Sequence, residues 1–354
     1  MSAEGCQNKP LFFKSDAWIT NALGQYSSWS HDMSLNVIIL LLIFSLFFNI
    51  FHMIILFNKR MKEFNLVRQT KVILVCEIVM QLNALIKYIA NACAKSTCEG
   101  HADYIQLALA NFDVFVFTFF HQTYIWTMVF ITLERVNIII DARYGGKYII
   151  NRKLIIIFCV FSVVTVFGNQ MFRTLPRRIV RITDYQEIMN AMNSRCIFDP
   201  NIEVYKFVST SAACEGTIPY MYHCFQGEII PCLILLASTI FLIIKNNQKI
   251  FRNSLNHGQA NKRRRSNISL VVYLIFFLLS ESLLAFIYGI GMISFSDFKI
   301  LDNFLYIQED CFIYLAMSVG MLVYFGMSSI YRDTVRQVIC QQKMSVIKVP
   351  QATS

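Results

Sequence analysis

Seven apolar stretches, each roughly 20 residues long and nearly free of charge, constrain this chain more than anything else in it. They lie at 35–57, 68–90, 104–136, 153–172, 221–244, 267–293 and 303–327. A helix rising about 1.5 Å per residue crosses about 30 Å of hydrocarbon in such a length. Unpaired backbone groups are costly in lipid, so a span has to be a helix or part of a closed barrel. The stretches lack the apolar/polar alternation of a barrel strand, which leaves helices. Composition agrees: 56% of residues are hydrophobic and 15% charged, against about 25% charged in soluble domains. The expected fold is an all-α membrane protein, a seven-transmembrane helix bundle.

The spans are not equal. The second holds Lys71, Glu77, Gln81 and Lys87. The third is longer than a bilayer needs and has to tilt or project. It ends in Trp126–Arg135, WTMVFITLER, where Glu134 and Arg135 are expected to close the helix with opposite charges. Pro231 is the one proline placed inside a span. It removes a backbone donor and opens the helix locally, a hinge that neighbouring groups in a bundle tolerate. After the last span, Tyr331, Val335, Val338 and Ile339 share a helical face with bases opposite. That is the pattern of a short cytosolic interfacial helix, and Cys340 at its end is a palmitoylation candidate.

Lys and Arg in the connections set the orientation. The segments 58–71, 135–153 and 245–267, with the C-terminal tail, hold most of the 32 basic residues, including the run Lys262-Arg263-Arg264-Arg265. The positive-inside rule puts these in the cytosol and the N-terminus outside. The chain then divides into an extracellular segment 1–34, a bundle 35–328, and an interfacial helix with cytosolic tail 329–354. The net charge of +10 is explained by loops facing anionic lipid, and no nucleic-acid motif accompanies it. The mixed, polar residues ahead of Leu35 argue against a cleavable signal peptide. Of the 11 cysteines, Cys6, Cys93, Cys98, Cys196 and Cys214 fall outside, where disulfides persist. Spacing does not set their connectivity. A bridge from just before the third span to the 173–220 loop, Cys98 to Cys196, is expected, with Cys93 to Cys214 as the alternative.

Polar residues inside spans are the candidates for function, because lipid penalises them. Asn49 in the first span is expected to point inward and bond another helix. Glu77 and Gln81 lie one turn apart on one face; Glu77 either serves inside the bundle or pairs with Lys71. The third span supplies His121, Gln122 and Tyr124, and the sixth Glu281, which is either protonated or paired at that depth. Glu309 and Asp310 sit near the outer end of the seventh. No H-x-x-H or C-x-x-C pair accompanies His121, so neither a metal nor another cofactor is expected. No catalytic cluster emerges, which argues against an enzyme. The absence of an internal repeat weighs against the alternative of a transporter or channel.

Seven spans with Asn49 in the first, Glu134-Arg135 closing the third, Pro231 in the fifth and Tyr324-x6-Tyr331-Arg332 after the seventh resemble a rhodopsin-like G-protein-coupled receptor over about 35–340. Four stretches are most similar to the nematode serpentine chemoreceptor class W, a group related to FMRFamide-type peptide receptors. These are Trp126-x8-Arg135, Cys98 with Tyr104, Ile229-Ile230-Pro231-Cys232, and Ser328-Ser329-Ile330-Tyr331-Arg332. The resemblance implies that Arg135 is a cytosolic switch held at rest by Glu134, and that Tyr324 swings toward it on activation.

The chain also departs from that pattern. Gly320-Met321 stands where Asn-Pro is usual, Gln81 where the second span usually has an acid, and Phe117 where amine receptors carry aspartate. No proline lies near Ser282. These departures argue against a sodium-type site and against a biogenic amine. The expectation is a multi-pass plasma-membrane receptor for an extracellular peptide or small-molecule ligand, a neuropeptide or chemosensory cue, that activates a heterotrimeric G protein. His121, Gln122, Tyr124, Glu281, Glu309 and Asp310 are the ligand-pocket candidates, and Asn49, Trp126 and Pro231 the structural ones.

Overall fold

The computed structural model describes residues 17–61, 65–93, 104–144, 152–174, 177–181, 205–209, 223–247, 257–293, 311–320, 322–323 and 331–339. The helices are α1 (Ala17–Leu56), α2 (Asn65–Cys93), α3 (Tyr104–Tyr144) and α4 (Arg152–Thr174). They continue with α5 (Ile230–Asn247), α6 (His257–Ile293), α7 (Cys311–Gly320) and α8 (331–339). Val37–Leu56, Val67–Ala90, Leu107–Ile140 and Phe225–Lys245 are long and apolar enough to cross a membrane. Ile155–Gly168, Leu270–Leu283 and Cys311–Gly320 are the shorter apolar parts of α4, α6 and α7. Seven apolar helices thus match the seven stretches of the sequence, and the protein is an all-α membrane bundle.

α3 is the central post, packed on α2, α4 and α5. Tyr124, Ile125, Trp126, Met128 and Val129 form a buried stretch in it. They meet Met80 of α2, Leu235 of α5, Leu274 and Phe277 of α6, and Met317 of α7. Trp126 sets its ring edge-on to Phe158 of α4 at 5.3 Å between centroids, a geometry aromatic quadrupoles favour. The outward faces remain apolar. Phe44, Phe47, Phe161, Leu233, Leu279 and Phe286 are all more than half exposed, and apolar surface on that scale is stable only against lipid. A second buried cluster, Ile55, Leu56, Met61, Val67, Leu74, Tyr331 and Val335, docks α8 on α1 and α2. Ile339, on the outer edge of the α8 stripe, is half exposed.

α1 and α6 begin ahead of the expected spans, at Ala17 and His257, and three further features differ from the sequence expectation. Glu134 and Arg135 do not close α3, which runs on to Tyr144. Val136, Ile138, Ile139 and Ile140 continue its apolar periodicity, and Ile139 is buried, so the charged pair is carried inside a helix. The loop 173–220 holds a two-stranded antiparallel sheet, β1 (Arg177–Arg181) and β2 (Tyr205–Ser209), with Ile179 opposite Phe207. Strands of five residues paired across a long insertion leave little periodicity to read. Pro231 is preceded by π-helical turns over His223–Ile229. The backbone widens just where proline removes a donor, and such turns often occur at functional sites.

Candidate functional site

One turn of α3 presents Phe117 and His121 on the same face, four residues apart. Their rings stack at 5.1 Å, tilted by 15°. The His121 imidazole lies between two carboxylates from other helices: Nε2 is 3.3 Å from Glu281 Oε1 of α6, and Nδ1 is 3.8 Å from Glu228 Oε1 of the π-helical turns. All three side chains are buried. Gln122 donates its amide to Glu228 Oε1 at 3.0 Å. Gly227 makes that approach possible, since a Cβ built there would stand 3.1 Å from Gln122 Nε2. The second oxygens of both carboxylates, Glu228 Oε2 and Glu281 Oε2, and Gln122 Oε1 have no hydrogen-bond partner among the described residues. One ligand atom from each of His121, Glu228 and Glu281 falls within 4.8 Å of the others.

A second polar layer lies closer to Glu134. The Tyr124 and Tyr273 hydroxyls are 3.3 Å apart, and Tyr273 donates to Glu77 Oε1 at 2.9 Å. Tyr273 lies against Gly320, where a Cβ would stand 3.4 Å from its ring. Glu77 does not pair with Lys71, whose ammonium sits over the Phe57 ring at 4.3 Å. Gln81 turns toward α1 instead, donating to Ser45 Oγ at 2.5 Å and accepting from Asn49 Nδ2 at 3.3 Å.

At the Glu134 end, Gln69 of α2 donates to the Glu134 carboxylate, and His52 Nδ1 lies 2.7 Å from the Tyr331 hydroxyl of α8. Arg135 is half-buried and engaged in interactions of its own. At the opposite end, Lys87 pairs with Asp113 at 3.0 Å, and Asn83 donates to the same carboxylate. The charges of the second span are therefore met by Asp113 of α3, the Tyr273 hydroxyl of α6 and the Phe57 ring.

Residues 36–342 match the family model described as "Serpentine type 7TM GPCR chemoreceptor Srw". The chain belongs to this Srw chemoreceptor family. Comparison with curated proteins finds no match. Membership makes it a GPCR-type receptor and gives no support to the transporter or channel alternative or to an enzyme. In this Srw receptor the pocket candidates His121, Gln122 and Glu281 come together, and Tyr124 lies one layer deeper. Asn49, Trp126 and Pro231 are buried in the bundle. Glu309, Asp310, Tyr324, Cys98, Cys196 and Cys340 lie outside the described residues. Cys76, Cys159 and Cys232 are free thiols. Sequence reasoning missed Glu228, Tyr273, Gln69 and His52 as partners. Of these, Glu228 carried a signal, being an acid at the mouth of an apolar span three residues before its proline. Linear spacing also missed the clustered ligand atoms, because His121, Glu228 and Glu281 come from three separate helices.

Proposed function

We propose that this Srw protein is a plasma-membrane receptor with its N-terminus outside, that it binds an extracellular ligand beside His121, Gln122, Glu228 and Glu281, and that it activates a heterotrimeric G protein at the Glu134–Arg135 end. One observation carries the reading. α6 meets α3 in two stacked polar layers, Glu281 with His121 and Tyr273 with Tyr124. A ligand that changes the first contact shifts α6 against α3 and disturbs the second, which also holds Glu77 of α2. This is a two-state element that differential binding can bias. Net negative charge in the first layer favours a cationic ligand, such as a peptide with a basic or amidated end, and Phe117 stacked on His121 leaves no aspartate for an amine.

Arg135 is the proposed switch. The test is an Arg135→Ala variant expressed in cells and screened with a peptide library. Ligand-stimulated nucleotide exchange should vanish while ligand binding persists. Unaltered signalling in the variant would remove the switch role. Ligand potency unchanged by Glu281→Gln would remove the pocket.

A further inference from the structure

We infer that His121, Glu228 and Glu281 form a binding site for a divalent transition cation of the zinc type, reached from the same side as the receptor's ligand. The inference deepens the ligand-site reading above by naming an ion as part of what that site recognises.

Charge is the first reason. Two carboxylates are buried beside one imidazole, in surroundings where charge needs a partner. Each carboxylate keeps one oxygen, Glu228 Oε2 and Glu281 Oε2, without a hydrogen-bond partner among the described residues. A divalent cation balances both carboxylates and gives those oxygens a partner.

Geometry is the second reason. Zinc holds histidine nitrogen and carboxylate oxygen at about 2.0–2.2 Å, so neighbouring donors of a tetrahedral site stand about 3.3–3.6 Å apart. Only one nitrogen of the imidazole can bind an ion: His121 Nε2 and Glu281 Oε1 are 3.3 Å apart, and one donor atom from each of His121, Glu228 and Glu281 falls within 4.8 Å of the others, so the set has to draw in slightly around a bound ion. Three protein ligands leave a fourth position open, the arrangement by which a bound ion also takes a donor from a second molecule. Gln122, bonded to Glu228, would hold that ligand from behind. Imidazole among the donors selects against magnesium and calcium, which prefer oxygen alone.

The test uses the full chain in lipid nanodiscs, stripped with chelator and titrated with zinc ion alone. One ion per chain is expected, lost in His121→Ala and in Glu281→Gln, weakened about 10–100-fold in Gln122→Ala, and not displaced by magnesium. Absence of stoichiometric zinc in the wild-type chain, or full stoichiometry in both ligand variants, overturns the site. Should those variants fail to fold, zinc-edge X-ray absorption of the wild-type chain decides. A nitrogen and oxygen shell at about 2.0–2.2 Å supports the site, and sulfur at about 2.3 Å overturns it. Neither measurement involves a receptor ligand or a G protein. Failure here leaves the receptor reading standing, and a silent nucleotide-exchange assay leaves the ion site standing.

Discussion

The carboxylate of Glu134 accepts a hydrogen bond from the side-chain amide of Gln69, so the acid beside Arg135 is tied to α2. Glu134 has to leave that partner for α3 and α2 to separate at this end. Gln69→Ala is expected to raise ligand-free nucleotide exchange, and Gln69→Glu, which sets a like charge against Glu134, to raise it further. Purified receptor with G protein in a guanine-nucleotide exchange assay gives the comparison. Basal rates equal to wild type in both variants would rule out this restraint.

Tyr273 donates to a carboxylate that is itself buried. Leaving one partner of a buried hydrogen bond unsatisfied costs about 1–3 kcal/mol. Tyr273→Phe should therefore lower thermal stability in detergent, and the double variant Glu77→Gln with Tyr273→Phe should recover part of the loss, because the stranded carboxylate is gone. Additive losses in the double variant would show that the two residues are not coupled.

Gly227 is small because Gln122 is close. In Gly227→Ala the new methyl pushes the Gln122 amide by a few tenths of an ångström and weakens its bond to Glu228. Ligand response should fall with little change in unfolding temperature. A variant with wild-type potency would mean that the amide re-forms its bond elsewhere.

The His52–Tyr331 contact pins α8 to α1. Tyr331→Phe keeps the buried ring and deletes the hydroxyl, at an expected cost of about 0.5–1.5 kcal/mol. Hydrogen exchange across 331–339 is the direct measurement, and exchange should quicken there first. Protection equal to wild type would assign the docking to the apolar cluster alone.

The bundle was legible because lipid imposes one requirement on every span, and a run such as Leu35–Phe57 can meet it only as a helix. Helix ends were less legible. Valine and isoleucine continue a helix past a charged pair as they do before it, and α3 passes Arg135 for that reason. Single polar residues in apolar surroundings, Asn49, Gln81, His121 and Glu281, announced themselves by their cost in lipid. Their partners did not, because Tyr273 and Gln69 are ordinary residues whose importance lies in what another helix sets opposite them. Glu228 lay between, visible as an acid but too near the mouth of its span to distinguish from a residue facing water.

The π-helical turns at His223–Ile229 hold about one residue more than an α-helix of the same rise. Each residue of an α-helix advances the face by about 100°. Deleting one residue from this segment would return it to α-helix, keep α5 below Pro231 in register, and swing Glu228 off the face that meets His121. The charge of the proposed ligand site is thus adjustable by changing length alone: a chain one residue shorter here is expected to keep the same fold and lose one of the two carboxylates from that site. Family members that differ by a single insertion or deletion before this proline should therefore differ in the charge of the molecule they recognise.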